Sequence, residues 1–385
     1  MPKKKNKRPK KKKVVQIKKP SEYYATVVSG SPEPSSSNKP FSSTDQERTS
    51  MLTNVSPWFL YSIAKNIDGG FEFGEATTGL WGQRANKGYG ICLDQYYQLP
   101  SNCSKPDFIK FISAKPNIIA LGDGYTRRWA LYERLNSLSE ALQLLRSNGG
   151  GRFYFPSLCF QMFPGIYKTE TGYVPLPNPD EKTTGNHCVC VESYSDQSKH
   201  IIFRNSWGVG WGDKGYGYLP YKYVERYFVE AWVGIGNADQ RLSSSWQKSV
   251  MNQETVENIT FETFTTPSLL NKPKTWVVDA YEDGGRIIGW SHFRIYPNGV
   301  TELEELYGIP EFDCYKVMGQ LLQILLKQVK PQGTKKLLYY VHVQDLVTED
   351  RMRSMRKLFE TAGWKIFNDT RRFAGCYWRV EKILF

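Results

Sequence analysis

The sequence predicts an α+β domain followed by an α/β domain, set behind a disordered basic arm. Three observations carry this. The chain has 385 residues, more than one hydrophobic core usually organises, so two domains are expected. Eleven of its Lys and Arg residues, and no acid, fall in residues 1–20, so the rest of the chain carries only +2 of the +13 net charge. A polar stretch without hydrophobic period near 240–256, including Leu242-Ser243-Ser244-Ser245 and Asn252-Gln253-Glu254-Thr255, separates two runs of patterned sequence and suits a linker. The expected division is an arm over 1–50, a first domain over 51–240 and a second over 256–385.

The arm is polycationic: Lys3, Lys4, Lys5, Lys7, Arg8, Lys10, Lys11, Lys12 and Lys13 form nearly one block. Such a block repels itself and stays unfolded until it meets a polyanion. Nucleic acid or an acidic protein is the expected partner, held through counterion release rather than base readout. The alternative is a solubilising tail. No apolar stretch follows the basic start, so no secretory signal is read, and no run of 18 apolar residues predicts a membrane span. Seven cysteines, an odd number without short paired spacings, fit a reducing compartment better than a disulfide framework. The expected location is therefore intracellular, in cytoplasm or nucleus, or within a virion. No CxxC or His-rich pattern predicts a metal, and no cofactor is expected.

The most informative stretch is IIFRNSWGVGWGDKGYGY at 201–218, preceded by His187 in Gly185-Asn186-His187-Cys188-Val189. An Asn-Ser-Trp-Gly turn followed by Trp-Gly-x-x-Gly-Tyr-Gly-Tyr is rare by chance. With a His eighteen residues before the Asn, it resembles the second half of a papain-type cysteine peptidase. The resemblance implies that His187 is the general base, that Asn205 holds its imidazole in one tautomer, and that Trp207 shields that hydrogen bond from water.

The nucleophile that the family carries is a Cys at the start of a long central helix. Ser56-Pro57-Trp58-Phe59-Leu60-Tyr61 through Gly69, leading to Tyr89-Gly90-Ile91-Cys92, resembles the segment just after that helix in the bacterial and viral branch. The helix would then precede residue 50, where SGSPEPSSSNKPFSSTDQERTS carries three prolines and no apolar stripe, a composition that opposes helix. None of the cysteines precedes Cys92. The expectation is an N-terminally truncated papain-like domain without helix, nucleophile or oxyanion-hole Gln. Cys188 is expected on the strand face opposite His187. Cys190 is expected on the same face, about 7 Å away, too far to pair with it. Without the central helix, Phe59 and Leu60 would form an apolar wall covered by another chain or by residues 21–50.

The remaining elements follow from periodicity and punctuation. Gly79–Ala85 opens a short helix. Leu131–Ser147 shows apolar residues at helical spacing and stops at Asn148-Gly149-Gly150-Gly151. Phe153-Tyr154-Phe155 opens a strand, and a loop with Pro175, Pro177 and Pro179 leads to His187. In the second domain, Trp276–Tyr281 and Arg286–Phe293 flank Asp283-Gly284-Gly285, a hairpin signal. After Glu302–Tyr307 come a helix through Met318, Leu321, Leu322, Leu325 and Val329, a strand at 337–343, and a helix through Met352, Met355, Leu358 and Phe359.

That order, with Glu305–Glu311 and Phe359-Glu360-Thr361-Ala362-Gly363-Trp364, resembles a GNAT-type acetyltransferase fold. The family's phosphate-cradling turn relies on glycines that admit a pyrophosphate to backbone N–H groups. Cys314-Tyr315-Lys316-Val317-Met318-Gly319 keeps only the last glycine, Asp313 adds negative charge, and Phe359 stands where the family often has a Tyr acid. Little room remains between 256 and 275 for the two helices that shape the family's acceptor site. Function is argued from sites rather than folds, so the expected function is a non-catalytic structural or scaffold protein, such as a minor capsid protein of a large DNA virus, with other chains of an assembly as partners. The competing expectation is a papain-like cysteine peptidase whose nucleophile comes from an unseen element.

The arm yields a direct test. Deleting residues 1–20 should leave the melting temperature nearly unchanged and remove most duplex-DNA affinity. In the full chain, log K should fall with log salt by a slope of about −0.9 per neutralised phosphate. Equal binding by the truncated chain at the same salt would reduce the arm to a solubility tag.

Overall fold

The computed structural model describes residues 55–148, 154–237, 250–266, 270, 272–283, 285–346, 348–368 and 376–384. The basic arm, residues 21–50 and the stretch 238–249 lie outside them. Four helices come first: α1 (Pro57–Asp68), α2 (Gly79–Tyr89), α3 (Lys105–Ser113) and α4 (Ile118–Tyr125). Ser56 caps α1 by accepting from the Phe59 N–H at 3.2 Å, with Pro57 in the first turn, where its missing N–H costs nothing. A β-carbon on Gly90, at φ 76°, would stand 1.8 Å from the Gly124 carbonyl oxygen, so only glycine lets α2 end against α4.

A six-stranded antiparallel sheet comes next, in the order β1-β6-β2-β3-β4-β5. Its strands are β1 (Trp129–Leu135), β2 (Ser157–Met162), β3 (Gly185–Ser195), β4 (His200–Arg204), β5 (Tyr216–Pro220) and β6 (Phe228–Asn237). Helices α5 (Leu138–Arg146) and α6 (Tyr221–Tyr227) share one core cluster with Phe160, Val189, Phe203 and Trp211. The helix expected over 131–147 divides here: Leu131–Leu135 belong to β1, and only Leu138–Arg146 are helical. β1 is buried on both faces, so apolar residues occur on both, and a fully buried strand carries no period-2 signal.

The second sheet has eight strands in the order β13-β14-β12-β11-β10-β9-β8-β7. They are β7 (Val250–Val256), β8 (Ile259–Thr266), β9 (Thr275–Glu282), β10 (Ile287–Ile295), β11 (Val300–Gly308), β12 (Lys336–His342), β13 (Lys365–Asn368) and β14 (Cys376–Ile383). Only β11 and β12 run parallel, joined by the crossover helix α7 (Cys314–Val329), as a parallel pair requires. Helix α8 (Glu349–Thr361) shares its cluster with α7, including Leu321, Leu325, Met355 and Phe359. Asn252–Thr255, expected as linker, are paired with Thr260–Thr263 in the β7–β8 hairpin. Their polar side chains stand on a sheet edge, where exposure hides the strand from composition.

The two halves share a core. Phe59, Leu60, Trp81, Tyr132 and Trp232 belong to the same buried cluster as Ile287, Trp290, Tyr307 and Ile309 of the second sheet. Phe59 meets Tyr97 edge-on at 5.9 Å. The apolar wall expected to need another chain or residues 21–50 is thus packed against described elements of this chain, because the second sheet supplies apolar area that the first half alone lacks.

Helix α2 lies in this seam with its polar side chains inside. Gln83, Arg84, Asn86 and Lys87 are each at most 2 % exposed. Arg84 reaches Glu305 at 2.7 Å and also Asp345. Lys87 bonds Asp279 at 2.9 Å and the Ala130 carbonyl at 2.6 Å. Beside them, Arg294 joins Glu133 at 2.8 Å and Glu304 at 2.7 Å. Taking these charges out of water is costly, and removing one partner strands the other.

Arg84→Met should therefore destabilise by about 3–5 kcal/mol in urea denaturation. Lys87→Met paired with Asp279→Leu should cost less than either change alone. If all three single variants fall within about 0.5 kcal/mol of wild type, the seam does not hold the halves together.

Candidate active site

His187 stands on β3, opposite Phe160 of β2, and Asn205 follows the end of β4. The ring of His187 is buried, and its Nε2 lies 2.9 Å from Asn205 Oδ1. The Ser206 N–H also donates to that oxygen, at 2.8 Å, which identifies it as the carbonyl side of the amide. Nε2 must then carry the proton, leaving Nδ1 as the basic nitrogen. Burial lowers the pKa of His187, and the Asn205 bond offsets this in part. The imidazole is thus held neutral and in one tautomer.

An aromatic wall encloses this pair. Trp207 lies 4.9 Å from the His187 ring, with Tyr167 stacked on its outer side at 5.2 Å and Trp211 edge-on at 5.4 Å. Phe160 meets His187 edge-on from the core side. Trp211 is anchored by its indole N–H to the Ile166 carbonyl at 3.0 Å, and the Asn205 N–H donates to the Gly215 carbonyl at 2.9 Å. The hairpin needs glycine at 217, since a β-carbon there would lie 2.3 Å from Phe203 and 2.8 Å from Trp211. The expected grouping of His187, Asn205 and Trp207 is therefore present as one packed unit.

The cysteines are placed differently from expectation in two respects. Cys190 is three residues from His187 along β3, an odd step, which sends it to the opposite face rather than the shared one. It aligns with Ser157, while Cys188 aligns with Cys159, and those two are joined as a cross-strand disulfide. A pairing 29 residues apart in sequence has no spacing signature, so the reading that favoured a reducing compartment over a disulfide framework did not foresee it. Burial pushes the Cys190 thiol far up and the Cys92 thiol up to about 12. Cys92, Cys103, Cys190 and Cys314 are free thiols, and Cys92 sits in the seam cluster.

In the second half, β11 pairs with β12 only from Val300–Leu303 to Lys336–Tyr339. Beyond that the strands diverge, and Arg84 spans the gap between Glu305 on β11 and Asp345 past β12. Its guanidinium lies over Trp81 at 4.7 Å and over Tyr307 at 4.5 Å. The gap is spanned by the Arg84 side chain of α2, a helix expected from Gly79–Ala85 but not at this place. The start of α7 is capped by Asp313, whose carboxylate accepts from the Lys316 N–H at 3.2 Å. Gly319 packs toward Leu358, and Phe359 is buried between Tyr339 and Trp364. Between 256 and 275, where little room was expected for two helices, the described residues hold β8 of the β7–β8 hairpin. Among the described residues, no His/Cys/Asp/Glu group is arranged to hold a metal, and no helix is long and apolar enough to cross a membrane.

Known proteins match both halves. Residues 161–230 match the family model described as papain family cysteine protease, and residues 240–360 match that of the acetyltransferase (GNAT) family. An uncharacterized peptidase C1-like protein of Acanthamoeba polyphaga mimivirus is 28 % identical over 154 residues, 38 % of this chain and 47 % of that protein. The matched region thus spans about half the length of this curated relative. Xylellain, a cysteine protease from Xylella fastidiosa, is 21 % identical over 47 % of this chain and 69 % of its own, with a TM-score of 0.41. The PaiA N-acetyltransferase of Thermoplasma acidophilum, solved in complex with coenzyme A, is 23 % identical over 29 % of this chain and 61 % of its own, with a TM-score of 0.24. The chain carries a papain-like α+β portion followed by a GNAT-like domain.

The tautomer can be checked directly. Nitrogen-15 shifts of His187 should report an Nε2–H imidazole that titrates below the free value of about 6.5. Asn205→Ala should lower that midpoint further, because it removes the bond that favours the charged form, and should cost about 1 kcal/mol of stability. A mixed tautomer in the wild-type protein contradicts the assignment.

Proposed function

We propose that this chain is a non-catalytic structural or scaffold protein built from a degenerate papain-like fold and a degenerate acetyltransferase-like fold, serving as a minor capsid component in the virion of a large DNA virus. The placement of the thiols around His187 carries the non-catalytic reading. The thiols nearest to it in sequence, Cys188 and Cys190, stand on the other face of β3, one in a disulfide and one with burial raising its pKa. A thiolate nucleophile needs the reverse, a lowered pKa beside the imidazole. In the second half, the Asp313 carboxylate caps the helix start where a phosphate would sit, and Arg84 fills the wedge between β11 and β12. The relative from a large virus supports a viral origin. Other chains of the assembly are the proposed partners of the body, and nucleic acid or acidic protein that of the arm.

A second reading is favoured by the intact His187–Asn205–Trp207 unit. Here the protein is a papain-like cysteine peptidase whose thiol is supplied by another element at Nδ1 of His187. In that case the thiol proton passes to Nδ1, and Asn205 holds the resulting imidazolium in place.

An alkyne-tagged epoxide directed at papain-type thiols separates the two. Labelling of the full-length protein should be weak and equal in wild type and His187→Ala, with no peptide hydrolysis above blank, and purified particles should contain the chain in fixed stoichiometry. Labelling and hydrolysis that both disappear in His187→Ala would establish the peptidase.

A further inference from the structure

Among the described residues of the seam between the two halves, a buried imidazole nitrogen has no hydrogen-bond partner. His292, on β10, is 2 % exposed, and its Nε2 has no hydrogen-bond partner. Its neighbours on the same face, Trp290 and Arg294, are both engaged with the first half. Trp290 donates to the Tyr132 hydroxyl at 3.0 Å, and Arg294 holds Glu133. The His292 ring itself lies edge-on to Tyr132 at 5.2 Å. It is therefore buried among groups from both halves.

From this placement we propose that His292 is an acid-sensitive latch: a proton on its ring weakens the seam that joins the papain-like portion to the GNAT-like domain. The groups facing it explain the direction. Lys87 on α2 and Arg294 on β10 are the charges that act on it, both repelling a proton, and burial opposes it more strongly still. The carboxylates of the seam are committed elsewhere: Asp279 on β9 to Lys87, Glu133 on β1 to Arg294 and Thr275, and Glu305 on β11 to Arg84. A fourth cation buried among these pairs has no counter-charge of its own.

The sign comes from linkage. His292 stays neutral in the folded state, whereas an unfolded or opened chain takes up the proton at about pH 6.5. Its contribution to stability is thus complete above that pH and is lost as the pH falls below it, by up to a factor of ten in the opening equilibrium per pH unit. Glu133 and Glu305, whose carboxyls burial raises against the pull of Arg294 and Arg84, act in the opposite direction. His187, and His342 at about 4, act in the same direction as His292. Only a comparison at His292 itself separates its share.

The test is amide exchange of the full-length protein from pH 7.5 to 5.0, corrected for intrinsic rates, read on peptides covering Ile287–Ile295 and Gly79–Tyr89. The wild type should lose about tenfold protection per pH unit below about 6, relative to His292→Phe and His292→Leu. Equal pH dependence in wild type and variants overturns the proposal. So does greater protection of the wild type in acid, which would mean that the ring pairs with the unpartnered Glu133 Oε2. Should neither variant fold, the His292 titration in the wild type decides. A midpoint below about 5 supports the latch, and one at or above about 6.5 overturns it.

Discussion

The structure depends on a helix that puts its charges inward. Helix α2 brings Arg84 and Lys87, three residues apart, to one side, where they meet Glu305, Asp345 and Asp279 of the other half. An isolated buried cation is costly, and further hydrogen bonds from a paired one help offset its loss of water. Lys87 therefore also bonds the Ala130 carbonyl, and Arg84 takes two carboxylates. Polar pairs of this kind specify an arrangement that apolar contact alone leaves loose. Trp81, Tyr132, Trp232, Trp290 and Tyr307 surround them and exclude water.

This seam ties the fates of the two candidate sites together. Arg84, needed to hold the halves, occupies the gap where β11 and β12 diverge, so the same contact that stabilises the chain closes the second half's wedge. On the first half, Glu230 of β6 accepts from the Gly79 N–H at 2.8 Å and from the Trp232 indole at 2.8 Å. It satisfies an exposed donor at the start of α2 and fixes that helix to the six-stranded sheet. Glu230 aligns with Cys159, whose disulfide partner is next to His187. The imidazole thus stands on a strand braced from the seam side, while Trp207 and Tyr167 cover it from the other.

The site around His187 was legible because its parts are local. Asn205, Trp207 and the glycines after them form one turn and hairpin, whose backbone demands can be read from neighbouring residues. The register that brings His187 beside Asn205 needs only the adjacent strands β3 and β4. Face assignment along β3 is equally local, and the alternation places Cys188 and Cys190 together, away from His187. The Cys159–Cys188 pairing was not legible, because it depends on the β2–β3 register, which no turn signal between them defines.

By itself the sequence determined the elements with one apolar face, α7 through Met318, Leu321, Leu322, Leu325 and Val329 and α8 through Met355 and Phe359, and it marked the β9–β10 hairpin by its turn residues. Such elements are specified by their own periodicity, since burial on one side and water on the other leaves a repeating pattern. Tertiary structure alone decided those buried on both sides. Leu131–Leu135 became a strand despite its helical spacing, and Gln83–Lys87 became an interior helix face despite the composition of a solvated one. Their burial is offset by partners nearly two hundred residues away or more, such as Asp279 for Lys87 and Glu305 for Arg84. A charge whose counter-charge lies that far along the chain reads as surface until the fold brings the pair together.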